Sequence, residues 1–260
     1  MAIRIRLALP LLLLAALLLP SVNAYFNATY LNTTVVLNPN NSAHVVESVN
    51  LYISNTSFTQ YAQDRQAINF TLSNWQNAVN TNLLVEHILN PKSSVYGFTF
   101  LPGPITSYGT FGDAQLTLSY YVKNITTSSE ISPRRFEYTF NNSVFNFLHT
   151  ASGQTLPANA RLNIIVPSGA QIVAIYPVPD SPRLSFISNY TGSTTFSWYS
   201  ADPLSSFTFS YILVQTPGQE VSKFFSNIFS NYSDLIFLLA GALVLVLLVY
   251  LYIRVSNAKV

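Results

Sequence analysis

Near its C-terminal end the chain carries an uncharged apolar segment at residues 235–253, LIFLLAGALVLVLLVYLYI. A helix rises about 1.5 Å per residue, so a segment of this length matches a hydrocarbon core of about 30 Å. Tyr250 and Tyr252 lie near its end, where aromatic rings favour the membrane interface. The sequence therefore predicts a single C-terminal transmembrane helix at residues 235–253.

A second apolar segment opens the chain, and its pattern is that of a cleaved secretory signal at residues 1–24. Arg4 and Arg6 precede an apolar run at residues 7–19, Pro20 ends that run, and small residues lead up to Ala24. The alternative, an uncleaved anchor, needs about 20 apolar residues. We therefore expect an exported chain.

Charges beside the predicted span indicate its orientation. Arg254 and Lys259 follow the span, whereas Asp234 precedes it. Basic residues favour the cytoplasmic side. We expect a cell-membrane protein with its N-terminus outside and a short cytoplasmic tail at residues 254–260.

The absence of cysteine excludes disulfides, thiolate metal sites and a cysteine nucleophile. An exported domain without disulfides favours a prokaryotic source. Charged residues make up 8% of the chain and aromatic residues 14%, which is the opposite of a disordered composition. Since carboxylates are few and protonate near pH 4, we hypothesise that the fold suits an acidic exterior.

Asn-x-Ser/Thr triplets are enriched in the predicted exterior region. The acceptor asparagines are Asn27, Asn32, Asn40, Asn55, Asn69, Asn124, Asn141, Asn189 and Asn231. The alternative is that these residues serve only turns and strand ends. We expect several to carry glycans. In type and composition, though not by any family motif, the chain resembles archaeal cell-surface glycoproteins.

The first acceptors surround a predicted hairpin. Residues 33–37 read as a strand, residues 38–41 as its turn, and residues 43–53 as the returning strand. We expect Asn40 in the turn. Asn27 and Asn32 flank the entering strand and should carry glycans only if that strand is an open edge, where the glycans would block edge pairing.

The fold predicted between the apolar segments is mainly β (α+β), as a β-sandwich-type ectodomain. Residues 25–130 form an N-terminal lobe with a hairpin, one amphipathic helix and strands. Residues 131–218 form a β-sandwich lobe of short alternating strands, with Trp198 in its core. Residues 219–234 form an amphipathic juxtamembrane segment.

The predicted helix begins at a capping-box pattern, Ser73 to Gln76, and ends before Pro91. Glu86 falls within its apolar face and is a candidate buried charge. It is either partly exposed at the edge of packing or paired with Arg134 or Arg135.

Catalytic patterns are absent from the sequence. The histidines stand apart, the carboxylates do not cluster, and no phosphate-loop, zinc or hydrolase motif occurs. We predict no catalytic, cofactor-binding or metal-binding residues, no enzymatic activity and no nucleic-acid partner. A hydrolase of unknown type is the least favoured alternative.

The expected function is a membrane-anchored surface glycoprotein with a structural or protein-binding role at the cell envelope. Its partners would be other envelope or membrane proteins. The alternative is an accessory subunit of a membrane complex for secretion, glycosylation or transport, since Ala240, Gly241 and Ala242 favour close helix packing.

Overall fold

The computed structural model describes residues 26–79, 81, 83–151, 153–183, 189–199, 202–216, 218 and 221. The signal segment, the predicted span, the cytoplasmic tail and Asn231 lie outside these residues, as does almost all of the juxtamembrane segment. Within the described part of the chain, no helix has both the length and the apolar character needed to cross a bilayer.

The chain is mainly β, as predicted. The elements, in chain order, are β1 (Phe26–Leu37), β2 (Ala43–Ser54), α1 (Phe58–Gln66), α2 (Leu72–Val79), β3 (Tyr96–Pro102), β4 (Thr106–Ser107), β5 (Phe111–Val122), β6 (Thr126–Ser132), β7 (Arg135–Phe140), β8 (Leu148–Thr150), β9 (Gly153–Thr155), β10 (Ala160–Ile165), β11 (Gln171–Tyr176), β12 (Thr195–Tyr199) and β13 (Thr208–Val214).

The larger sheet has the strand order β12-β10-β1-β2-β5-β3, and β4 also pairs with β5. The β1–β2 hairpin is confirmed, but β1 is not an edge strand. It pairs with β2 along its length and runs parallel to β10 over residues 31–36. The prediction of a glycan-shielded edge is therefore wrong for residues 31–36, which include Asn32, because β10 arrives from distant sequence and covers the side that local pattern left open. Asn27 precedes this pairing.

Side-chain alternation gives the larger sheet one buried face and one solvent face. In β2 the buried positions are 43, 45, 47, 49, 51 and 53, and in β5 they are the even positions 112 to 122. The intervening residues form the solvent face. This regular alternation explains why the long strands could be located from sequence.

A second sheet, of four strands, has the order β11-β13-β7-β6 and contacts the buried face of the larger sheet. Strands β8 and β9 pair as a separate two-stranded sheet. Trp198 of β12 meets Phe207 with ring centroids 5.1 Å apart, and Phe196 meets Phe209 at 5.6 Å. Trp198 is fully buried, as the sequence predicted. Strands from both predicted lobes share the larger sheet. Residue 130, at which the first predicted lobe ends, lies within β6.

The described elements include two α-helices, α1 and α2, and the sequence predicted only the second of them, with a later end. The N-terminus of α2 is capped by Thr71 and Asn74, which bond reciprocally, rather than by Ser73 and Gln76. Helix α2 spans Leu72–Val79, and the segment around His87, which the sequence predicted as its continuation, bonds elsewhere: Leu89 N–H donates to the Val144 carbonyl, and Asn146 N–H donates to the His87 carbonyl. These bonds replace the i to i−4 ladder that a longer helix would need.

Candidate functional site

A groove of about 530 Å³ lies on the solvent face of the larger sheet, and we call it the polar groove. Strand pairing places Asn50 opposite Gln115 and Tyr52 opposite Asp113 on this face. Leu101 of β3 and Pro104 form an apolar wall of the groove. The polar lining is Thr29, Asn50, Thr106, Asp113, Gln115 and Thr117.

Two amides at the base of the groove orient each other. Gln115 Nε2 donates to Asn50 Oδ1 at 3.1 Å, and Thr29 Oγ1 donates to the Asn50 carbonyl at 3.1 Å. Among the described residues, this leaves Asn50 Nδ2 as a donor and Gln115 Oε1 as an acceptor for a ligand. The exposed Asp113 carboxylate adds acceptors beside them.

Helix α1 holds the wall of the groove in place. Gly103 N–H donates to the Gln115 carbonyl at 2.7 Å, and a Cβ at Gly103 would lie only 2.8 Å from that oxygen, so the approach requires glycine. Tyr61 donates its hydroxyl to the Gly103 carbonyl at 2.8 Å. Burial raises the pKa of Tyr61 to about 12, against the opposing charge of Arg65, so the phenol keeps the proton that it donates.

Aromatic rings border the groove on the same face. Tyr52 and Tyr108 each stack on Phe111, with centroids 5.4 and 5.3 Å apart. Tyr52 is 40% exposed and Tyr108 55% exposed. A second stack, in which Tyr121 contacts both Tyr96 and His44, lies at the opposite end of β5. The face therefore combines amides and hydroxyls with accessible ring surfaces.

Most of the predicted glycan acceptors in the described residues are exposed. The exposed asparagines are Asn27, Asn40, Asn55, Asn69, Asn124 and Asn189, and the half-buried ones are Asn32 and Asn141. Asn27 is the direct cross-strand neighbour of Tyr52 and shares its face, which places Asn27 at the rim of the polar groove. Asn32 lies in the middle of the sheet, and its Oδ1 accepts a bond from Asn163 Nδ2 at 2.8 Å.

Two acceptor triplets form closed local turns. Asn40 Oδ1 accepts bonds from the Ser42 N–H at 3.2 Å and from the Ser42 hydroxyl at 2.6 Å. Asn141 Oδ1 accepts the corresponding bonds from Ser143 at 3.1 and 2.8 Å. Both are Asx turns. Because asparagine is favoured in such a turn, the turn alone explains asparagine at these positions, without a glycan.

A buried polar cluster lies on the other face of the sheet. Glu47 occupies a core position of β2 and is fully buried. One carboxylate oxygen accepts bonds from the His87 N–H at 2.8 Å and from the Tyr120 hydroxyl, and the other lies 2.6 Å from His87 Nδ1. His87 is 3% exposed and stacks on Phe147.

The cluster acts as a structural tie. Burial above all, with the charge and hydrogen bond of Glu47, raises the pKa of Tyr120, which therefore stays protonated as a donor. Because all three side chains are buried, a ligand has no access to them. The bonds instead fasten the segment around His87 to β2 and β5. A sequence signal for Glu47 existed, since it stands in register between Val45 and Val49.

The other sequence candidates are separated. Glu86 is half-buried in the irregular segment after α2, and the structure shows no ion pair for it among the described residues. His44 contacts Ser119 and His149 contacts Gln154. The described residues contain no group of three or more side chains suited to hold a metal ion.

No protein-family model matches this chain, and no curated protein matches its sequence. Among solved structures, the chain is similar to the folded domain of the Mycobacterium tuberculosis protein LppM, determined by NMR. The identity is 9% and the TM-score 0.23, over 75% of this chain and 94% of the other.

Proposed function

We propose that the chain is a single-pass, membrane-anchored extracytoplasmic glycoprotein with a structural or protein-binding role at the cell envelope. The observation that carries this proposal is the exposure of the acceptor asparagines. Six of the eight that the structure describes are exposed, on strands, turns and the segments beside the helices. Exposed asparagine amides are what an oligosaccharide transfer enzyme requires.

In this proposal the described residues form a β-sandwich ectodomain outside the membrane. The aromatic contacts between the two sheets support a sandwich, since facing side chains interdigitate there. A signal at residues 1–24 exports the chain, the span at residues 235–253 anchors it, and the tail at residues 254–260 is cytoplasmic. The resemblance in composition to archaeal cell-surface glycoproteins favours an archaeal envelope.

A protein-binding role is supported by strand β3 at the edge of the larger sheet. Tyr96, Phe98 and Leu101 are 41%, 39% and 68% exposed there. An edge strand with accessible apolar side chains suits strand addition by a partner. The same surface, together with the small residues at 240–242, favours the second candidate, an accessory subunit of a membrane complex.

Two measurements on the tagged full-length protein in its own host test this proposal. Glycopeptide mass spectrometry of purified membranes should find sugar on several acceptors, and protease treatment of intact cells should remove the ectodomain while sparing a C-terminal tag. An unglycosylated chain, or an ectodomain protected from outside, would overturn the proposal.

Crosslinking in native membranes followed by mass spectrometry separates the two roles. Partners from the surface layer would support the envelope role. Reproducible partners with several transmembrane helices would support the accessory subunit. The variant Phe98→Asp should weaken those crosslinks if β3 is the contact, whereas Thr127→Asp on β6, an exposed edge strand of the other sheet, serves as the matched control.

A further inference from the structure

We propose that the polar groove holds the glycan attached to Asn27 of the same molecule, so that the sugar chain packs back onto the solvent face of the sheet. This inference rests on the proposed function, because it requires that Asn27 be glycosylated. It adds a specific binding site for one glycan.

The groove chemistry suits a neutral sugar chain. A pyranose ring presents a C–H-rich face, which packs on an aromatic ring, and hydroxyls, which need donors and acceptors at its edge. Tyr52 offers the ring, 40% exposed and held by stacking on Phe111. Asn50 Nδ2, Gln115 Oε1 and the Asp113 carboxylate offer the donor and acceptors.

The groove is preorganised for this role. The bond between the Asn50 and Gln115 side chains fixes both amides, and the Gly103 contact to the Gln115 backbone fixes the wall. Polar groups that are already oriented lose less conformational entropy on binding. A mobile polar surface would lack this advantage.

Asn27 is positioned to deliver its glycan. It is exposed and lies one strand away from Tyr52 on the same face, and Tyr52 lies one strand away from Asp113. Neighbouring strands are about 4.8 Å apart, so the groove lies about 10 Å from the attachment point. A short oligosaccharide stem spans this distance.

Two other acceptors on or beside strands of this sheet, Asn32 and Asn124, are less suitable. Asn32 is half-buried, and its side-chain oxygen is bonded to Asn163. Asn124 follows the C-terminal end of β5, whereas Asp113 lies near the N-terminal end of that strand. The backbone φ of Asn124 is +54°. Asn124 is also exposed, which makes it the matched control for glycan removal.

Chemical footprinting of the glycosylated full-length protein tests the inference. Asp113 is labelled with a water-soluble carbodiimide and glycine ethyl ester, Tyr52 is nitrated, and peptide mass spectrometry gives both rates. Tyr176, 53% exposed and away from the groove lining, is the internal reference. Asn27→Gln should raise both rates several-fold, whereas Asn124→Gln should leave them unchanged.

A second variant keeps the glycan and weakens its site. Gln115→Ala is exposed and should preserve the fold, so labelling of Asp113 should rise although Asn27 remains occupied. This separates a bound glycan from one that only shields the surface by its bulk.

Each contrary result has a distinct meaning. Equal labelling in the wild type and Asn27→Gln, with Asn27 occupied, overturns the inference and leaves the proposed function intact. Sugar on other acceptors but not on Asn27 does the same. Sugar on none overturns both. In the last case, Asn27→Gln alone leaves labelling unchanged, but free oligosaccharide released from host glycoproteins slows labelling of that variant. The groove then binds an external sugar, and the intramolecular site is rejected.

Discussion

Glu47 and His87 meet in the protein interior with a carboxylate oxygen 2.6 Å from His87 Nδ1, although 40 residues separate them in sequence. Glu47 stands where the alternation of β2 would place an apolar side chain. Its three bonds connect β2 to Tyr120 of β5 and to the segment after α2. The Glu47 carboxylate thus holds the segment after α2, which the sequence predicted to be helical.

Glu47→Leu should destabilise the protein strongly. Leucine fits the apolar surroundings but leaves the His87 N–H and the Tyr120 hydroxyl without their acceptor. A buried polar group left unsatisfied costs about 1–3 kcal/mol, so the loss should amount to several kcal/mol. Urea unfolding of the full-length protein in detergent, followed by tryptophan fluorescence, measures the loss.

The surface variant Glu130→Gln is the control and should change stability by less than about 0.5 kcal/mol. The variant Glu47→Gln should lose much less stability than Glu47→Leu, because its amide oxygen can still accept from the His87 N–H and the Tyr120 hydroxyl. A Glu47→Leu protein as stable as the wild type would show that the cluster contributes nothing to the fold.

Thr33→Val should stabilise the protein. Thr33 lies in β1 and is fully buried, and its hydroxyl has no hydrogen-bond partner among the residues that the structure describes. Valine has the same shape and removes an unsatisfied polar group, so a gain of about 1 kcal/mol is expected. Thr155→Val is the matched control, because the Thr155 hydroxyl bonds to the Asp202 carbonyl, and it should cost about 0.5–1 kcal/mol. Chemical denaturation gives both values, and a loss of stability in Thr33→Val would contradict the reasoning.

The predictable part of the fold is the part set by local pattern. The hairpin of β1 and β2, strand β5 and the burial of Trp198 follow from alternation and turn residues, which are encoded within a few positions. The pairing of β1 with β10 joins residues about 130 positions apart, which no local pattern encodes. Helix α1 was missed because its apolar residues do not form a clear stripe, and Tyr61 alone buries its ring.

The candidate site shows the same division. The acceptor asparagines could be predicted from the sequence, since a triplet is a local signal, but no local signal predicts that Asn27 lies beside Tyr52 or that Asn50 lies opposite Gln115. Those neighbours depend on the register of β1, β2 and β5. The cluster at Glu47 was detectable in principle, because a carboxylate in a core register of a strand requires a buried partner.

Asp64→Asn should change how stability depends on pH. Burial raises the pKa of Asp64, and the hydrogen bond from Gln60, 2.7 Å long, opposes this only in part. Burial also raises the pKa of Asp202, with a further contribution from Asp180. A raised carboxyl pKa favours the folded state below the pKa of the unfolded chain, about 3.9, and this stability is lost as pH rises through the folded-state pKa.

Stability from these two groups therefore increases as the medium becomes acidic, in accord with a fold suited to an acidic exterior. Asp64→Asn should show a smaller fall in urea midpoint between about pH 4 and pH 7 than the wild type. Identical slopes in Asp64→Asn and wild type would refute the assignment, and a steep loss of wild-type stability below about pH 4 would contradict the acidic-exterior hypothesis.

Trp198→Ala should disrupt the contact between the two sheets. Trp198 packs against Phe207 and Phe209, and its ring N–H donates to the Pro177 carbonyl at 2.9 Å. Truncation leaves a cavity and an unpaired carbonyl, at a cost of about 3–5 kcal/mol. Thr195→Ala, exposed on the same strand, should cost less than about 0.5 kcal/mol. Trp75 remains as the fluorescent reporter, and an unfolding midpoint as high as that of Thr195→Ala would mean that the sheets do not depend on this ring.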